Sequence, residues 1–342
     1  LKNKNIREYA IKVLNGMALG LFSSLIIGLI LKQVGIFTGL ELLERLGQLA
    51  QYTMAPAIGA GVAYSVGASP LGIFAGVVAG SIGGGGISIN PEGVASISIG
   101  EPVGALLSSL VGVEISKLVS GKTKLDIILV PAVTIVTGGI AGYYLAPIIS
   151  SFMKAVGEVI NFATMQQPVV MGILVSVIMG FILTMPISSA AIGISLGLSG
   201  LASGAAIIGC SCQMIGFAVI SFRENGFGGF IAQGLGTSMI QISNIVKNPK
   251  TLIPPIVASA ILGPVGTTVF KMEGDSIGSG MGTSGLVGQF STLSVMGPES
   301  IYKIALLHFI LPGIISYAVY KVLKKKNWIK DGDLKLYSLQ KE

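Results

Sequence analysis

Long apolar runs separated by short basic segments constrain this chain more than any other feature. The runs cover 13–31, 53–67, 71–82, 102–120, 127–150, 168–185, 187–209, 252–270 and 302–322. A further stretch, 210–246, begins apolar at Cys210–Phe222 and continues through Arg223, Glu224 and a Gly-rich tract. A helix crosses the hydrocarbon of a bilayer with about 20 such residues. Charged residues make up only 11% of the chain and hydrophobic ones 51%, at a mean hydropathy of +0.82. A soluble domain carries about 25% charge, and this much apolar sequence would leave large patches on its surface. The reading is an all-α polytopic membrane protein with nine or ten transmembrane helices. Its 49 glycines sit among Ile, Val, Leu and Ala, where small residues let helices approach closely.

The net charge of +7 lies between the apolar runs and not on one basic face, which speaks against a nucleic-acid partner. It follows the positive-inside pattern of cytoplasmic loops. Lys2, Lys4, Arg7 and Lys12 place the N-terminus inside, and Lys324, Lys325 and Lys326 the C-terminus. Lys122 with Lys124 and Lys247 with Lys250 mark inside loops. These markers agree only if 210–246 supplies a tenth crossing. Val13–Leu31 is too long for a signal-peptide core and reads as a retained helix. The tail 323–342 reads as a solvated anchor. Cys210 and Cys212, the only cysteines, are expected as buried thiols, since their spacing suits neither a disulfide nor a four-ligand metal site.

The whole of 1–342 reads as one integral membrane domain. Two segments, 38–52 and 151–166, carry apolar residues at helical spacing with charges elsewhere and are expected along the membrane surface. The order of span, surface helix, span and Pro-led span occurs in 13–120 and again in 127–246, which predicts a duplication in parallel orientation. The plainer reading is the alternation of loops and spans found in any polytopic chain. Helices in 252–322 would follow the repeat.

Two stretches are built for polar chemistry. Ser81–Gly104 is rich in Gly and Ser, is broken by Pro91 and Pro102, and holds Asn90, Glu92 and Glu101. Irregular backbone at membrane depth survives only when buried in protein or lining a watery cavity. The stretch is therefore expected as a re-entrant hairpin, with an exposed loop as the competing reading. Carboxylates such as Glu92 and Glu101 accept strong hydrogen bonds from hydroxyl-rich solutes. Lys271–Glu299 repeats the style around Glu273, Asp275 and Gln289. Its GSGMGTSG lacks the ending of a nucleotide-binding loop. A third candidate is the turn at Pro186, where Ser188 and Ser189 face a solute path or join two helices. Glu114 and Lys117 share a helical face and are expected to pair. His308, the only histidine, is expected as a packed, hydrogen-bonded residue. No catalytic constellation, metal-ligand cluster or cofactor fingerprint is read, so neither a metal nor another cofactor is expected.

Three stretches carry a family resemblance. VAYSVGASPLGIFAGVVAGSIGGG at 62–85 resembles a segment of fructose-type phosphotransferase membrane components. NPKTLIPPIVASAILGPVG at 248–266 resembles the Asn-Pro-Lys and Ile-Pro-Pro helix near that family's C-terminal part. NPEGVASISIGEP is similar to the short Glu-Pro loops of the wider superfamily, here Glu101 and Pro102. The chain most resembles the second IIC family, which includes membrane proteins of the perfringolysin O regulator type. That resemblance implies a homodimer in the bacterial cytoplasmic membrane that moves a sugar by an elevator-like motion. It also implies a soluble IIB phosphocarrier that phosphorylates the sugar inside. No IIA or IIB domain is read in these residues, so sugar phosphorylation would need separate partners. The alternative is a membrane-embedded solute sensor, whose partner surface would have to be the basic tail; an ion channel ranks third because no rings of acids are evident.

Overall fold

Glycine sets how closely the helices of this chain pack, and its positions follow the contacts. The computed structural model describes residues 2–90 and 92–336. The breaker Pro91 and the tail's last residues, 337–342, lie outside the described residues. Two compact units divide the chain, Leu1–Phe152 and Met153–Glu342.

In the first unit the opening helix runs Lys2–Leu21, passes through a π turn at Phe22–Ile26 and continues as Ile27–Thr38. Gly16 and Gly61 face each other so closely that a Cβ on either would overlap the other's carbonyl oxygen, and Gly20 stands likewise against Ala57. Helices Met54–Ser65, Pro70–Gly83 and Pro102–Lys117 continue the pattern through Gly59 against Gly76 and Gly83 against Gly104. Without a hydrophobic drive between helices in lipid, such backbone proximity and interhelical hydrogen bonds hold the bundle. The buried Ser108 hydroxyl supplies one, lying 2.8 Å from the Ala79 carbonyl and 2.6 Å from that of Gly138. The expected Glu114–Lys117 pair forms at 2.6 Å. Tyr9 also donates to Glu114 at 2.6 Å, and Lys117 donates to the Val66 carbonyl at 2.5 Å.

Segment 38–52 becomes the helix Glu41–Tyr52. It turns back along the preceding helix, with Gly47 on Gly28 and Glu44 on Gly35, and leaves Leu42, Leu46 and Leu49 exposed. The second expected surface helix is different. Residues 151–164 do not stand apart but end a single 39-residue helix, Asp126–Thr164, which runs through Pro131 and Pro147. Ile160 and Ala163 are buried with Met171, Val175 and Met179, so this stretch joins a core.

The second unit is built around the helix Gly200–Ile220, buried along nearly its whole length. Gly209 touches the backbone of Ser176 on the helix Pro168–Thr184, and Gly263 on Ile253–Thr268 meets Gly172 and Ser176. The two cysteines are buried and free, as expected. The expected span 187–209 is broken. A short helix, Ser189–Ser195, ends at Gly197, and Gly197 and Gly200 hold positive φ values of 59° and 56°, a region that favours glycine. The long helix starts only after this break. Region 222–248 is a chain of short pieces: Phe222–Ile231, kinked at Gly226, then Ala232–Gly236, Ser238–Gln241 and Ile242–Lys247.

Five helices among the described residues are long and apolar enough to cross a membrane: Glu8–Ile36, Asp126–Ile149, Gly200–Ile220, Pro249–Thr268 and Pro298–Lys325. Pro70–Gly83 and Pro168–Thr184 are shorter apolar helices. A 12-residue helix such as Met54–Ser65 rises only about 18 Å, short of the ~30 Å hydrocarbon core. The chain is an all-α polytopic membrane protein.

The C-terminal stretch departs from the solvated anchor expected of it. Residues 328–336 lie along side-chain amides of 225–248. Asn225 donates to the Leu334 carbonyl at 2.9 Å and accepts from the Leu336 N–H at 2.8 Å. Gln241 and Asn244 donate to the carbonyls of Leu334 and Lys335, each at 3.0 Å. Asn248 donates to the Trp328 carbonyl and to Asp333, both at 2.8 Å. Backbone outside regular helix or sheet needs partners for its polar groups when it packs on protein, and amides supply both donor and acceptor.

Candidate functional site

The two Gly-rich stretches separate into an exposed ribbon and a buried polar seam. In the first unit, Ile87–Ile89 pairs antiparallel with Ala95–Ile97, and the Ser88 and Ser96 hydroxyls lie 2.7 Å apart. Asn90 closes the turn by accepting from the Val94 N–H at 2.8 Å. The stretch does fold back on itself, but Asn90, Glu92 and Ser98 are exposed and not buried against this unit. The physical reason is that a two-stranded ribbon leaves the outer N–H and C=O groups of both strands unpaired, and here water can reach them because the ribbon stands exposed. Glu101 is half-buried and caps the helix Pro102–Lys117, accepting from the N–H groups of Val103 at 2.6 Å and Gly104 at 3.4 Å. A carboxylate at a helix N-terminus is stabilised by the exposed amides and the helix dipole.

In the second unit, 271–296 is the irregular segment that lies buried in protein. Gly200 and Gly274 form an isolated antiparallel bridge. Ser203 donates to the Asp275 carbonyl at 2.6 Å. The Asp275 carboxylate accepts from the Gly278 N–H at 2.9 Å and the Ser291 hydroxyl at 2.8 Å, while Ser291 accepts from the Asp275 N–H at 2.9 Å. That clasp joins the start of the segment to the helix Val287–Met296. Ser189 donates to the Gly280 carbonyl at 2.6 Å, and Thr283 and Ser284 donate to the carbonyls of Gly234 and Gly236. Gly282, at φ 51°, packs on the Cys210 backbone; a side chain there would meet both strain and collision.

Within the seam lies a group of polar side chains with incomplete hydrogen bonding. Gln289 Nε2 lies 3.2 Å from His308 Nδ1 and 3.5 Å from the Ser211 hydroxyl. His308 is fully buried on a π turn, Ala305–Ile310, a geometry that recurs at functional sites. Gln289 Oε1, Thr292 Oγ1 and His308 Nε2 are buried with no hydrogen-bond partner among the described residues. Thr292 is one turn from Gln289 on the same helical face. With the Gln289 amide donating to Nδ1, the imidazole proton sits on Nε2. The group then offers one free donor, one free acceptor and one hydroxyl able to do either. A solute hydroxyl, which both donates and accepts, fits that set.

Of the eight residues singled out from the sequence, the structure gathers Ser189, Glu273, Asp275 and Gln289 around this segment. Ser188, half-buried, immediately precedes Ser189, and the Glu273 N–H lies 3.2 Å from the Met296 sulfur. Asn90, Glu92 and Glu101 belong to the first unit. Sequence reasoning gave no site role to Ser211, Ser291 or Thr292 and left His308 as a packed residue. Only the cluster of hydroxyls in an apolar helix hinted at them. Among the described residues no group of three or more His, Cys, Asp or Glu is arranged to hold a metal.

No curated protein and no solved structure matches the chain. A family model described as "Phosphotransferase system, EIIC" matches residues 11–336. With nearly the whole chain covered and an all-α membrane fold in place, the chain belongs to the phosphotransferase-system EIIC family, the membrane components that act as sugar-transport permeases.

Proposed function

We propose that the chain carries a small hydroxylated solute, a sugar, by elevator-like alternating access, and that the seam of the second unit holds the solute. The observation that supports this most is the set Gln289, Thr292 and His308. Buried polar atoms are nearly always hydrogen-bonded, and leaving one unpaired costs about 1–3 kcal/mol. Three such atoms on residues linked by the Gln289–His308 contact and by one helical turn are best explained by a polar ligand. Ser188, Ser189, Glu273 and Asp275 shape the irregular segment around them. Asn90, Glu92 and Glu101 are proposed separately, as polar contacts that the first unit offers to a solute. The test is thermal unfolding of the purified protein against a panel of sugars and sugar phosphates. A sugar at 100 times its dissociation constant should add about 2.7 kcal/mol of stability. A flat response across the whole panel would remove the sugar from the proposal.

The family membership also supports a homodimer in the bacterial cytoplasmic membrane, with both termini inside, and a soluble IIB partner that phosphorylates the arriving sugar. The exposed apolar faces of the first unit, such as Leu42, Leu46 and Leu49, leave surface for lipid or a second copy. Mass measurement in several mild detergents should return a dimer at micromolar concentration. A monomer in all of them would count against the dimer. The duplication of 13–120 in 127–246 is kept as a proposal about the chain's origin.

A further inference from the structure

A cavity of about 280 Å³ opens on the second unit where two of its membrane-crossing helices end. Val219 and Ile220 come from the end of Gly200–Ile220, and Tyr317, Tyr320, Lys321 and Lys324 from the end of Pro298–Lys325. Phe222 and Arg223 close it from the next helix. The walls are therefore apolar and aromatic and the rim is cationic. Lys324 pairs with Asp331. Lys321 lies 5.3 Å from the Tyr317 ring centroid, and neither it nor Arg223 has an ion pair among the described residues. The surroundings extend the same chemistry. Lys250 and Lys326 flank the Trp328 ring at 4.8 and 5.8 Å. Phe222 and Phe227 are exposed beside Arg223, each with its ring against Phe230.

The geometry points to a binding site for an anionic phospholipid, with its phosphate between Arg223 and Lys321. Three features select this occupant over a soluble one. The site lies at the ends of two crossing helices, at headgroup level, where Tyr and Trp gather. Its charge matches the anionic lipids of the leaflet that basic loops face. Its volume, just below the ~300–1,000 Å³ of small-molecule pockets, takes a phosphoglycerol headgroup and leaves the acyl chains to run out along exposed apolar side chains such as Phe222. Arg223 supplies a forked donor pair suited to phosphate oxygens, and Lys321 a point charge on a flexible stem.

Native mass spectrometry of the full chain, delipidated in neutral detergent, tests this by titration with phosphatidylglycerol, phosphatidylcholine and glycerol 3-phosphate. Phosphatidylglycerol should bind at least 10-fold more tightly than phosphatidylcholine. Each cation near a membrane surface contributes about fivefold, so the double variant Arg223→Ala/Lys321→Ala should lower phosphatidylglycerol affinity by about 25-fold and erase the preference. The charge-conserving pair Arg223→Lys/Lys321→Arg should keep it, which separates lost charge from lost folding. An unchanged preference in the alanine pair, or its loss in both pairs, overturns the assignment. So does competition by glycerol 3-phosphate at the same concentration as the lipid, which would make this a site for soluble phosphates. None of these readouts depends on sugar binding, so the two proposals fail separately.

Discussion

Replacing Gln289 by Leu and His308 by Phe together is expected to weaken sugar binding by about 100-fold and to leave the protein folded. The pair provides one free donor and one free acceptor in the buried seam. Two such hydrogen bonds to a solute hydroxyl contribute about 2–3 kcal/mol, and every 1.4 kcal/mol is tenfold in affinity. Exchanging both members of a buried pair for apolar groups of similar shape is nearly neutral for folding, whereas removing one strands the other. Gln289→Leu alone should therefore destabilise the protein more than the double variant does. Two measurements check this, sugar affinity and thermal midpoint, on the single and double variants. Wild-type affinity in the double variant would move the solute out of this seam. Asp275 offers a contrast, because both its backbone and its carboxylate are engaged in the clasp with Ser291 and Gly278. Its loss acts through the shape of the segment.

A larger effect on stability is expected from Gly209→Val. A Cβ at Gly209 would overlap the carbonyl oxygen of Ser176, and the neighbouring atoms are backbone, which cannot rotate aside. The Ser259 hydroxyl also lies 3.3 Å from the Gly209 carbonyl and the Ser176 hydroxyl 2.8 Å from the Ser259 carbonyl, so parting these helices strains two more bonds. Overpacking a tight core typically costs 1–3 kcal/mol and sometimes more; here we expect about 3 kcal/mol or greater. Gly228→Ala is the matched control. A Cβ there meets nothing within 4 Å on the helix Phe222–Ile231, and replacing glycine in a helix should add about 0.5–1 kcal/mol. Thermal unfolding in one detergent ranks the two. Equal midpoints would mean that the 168–184 and 200–220 helices can move apart at no cost.

The membrane class and the family were legible because they rest on local composition and on Gly- and Pro-based stretches that stay contiguous in sequence. The Glu114–Lys117 pair was legible for the same reason, being one helical turn apart. Other features were decided by a competing local preference. Residues 187–209 look apolar throughout, yet Gly197 and Gly200 break them. At 151–166 apolar residues at helical spacing suggested a separate surface helix, but the preceding helix continues through Pro147. The polar seam joins residues far apart in sequence. Gln289 and His308 are 19 residues apart, and Gln289 and Ser211 are 78 apart. No periodicity in a single sequence announces that meeting. The hairpin at 87–97 carried the loudest polar signal, yet it stands exposed in the first unit.

The amides that hold residues 328–336 set a schedule for the making of this protein. Asn225 emerges from the ribosome 109 residues before Leu334, the partner it binds. At ~5–20 residues per second of synthesis, that interval lasts on the order of 5–20 s. Through that time the carboxamides of Asn225, Gln241, Asn244 and Asn248 have no strap to hold. The second unit therefore reaches its final form only after translation has passed Leu336. A premature stop codon ten residues before that point, at 326, leaves the crossing helix Pro298–Lys325 whole, yet it leaves these groups for the cell's quality-control proteases to find.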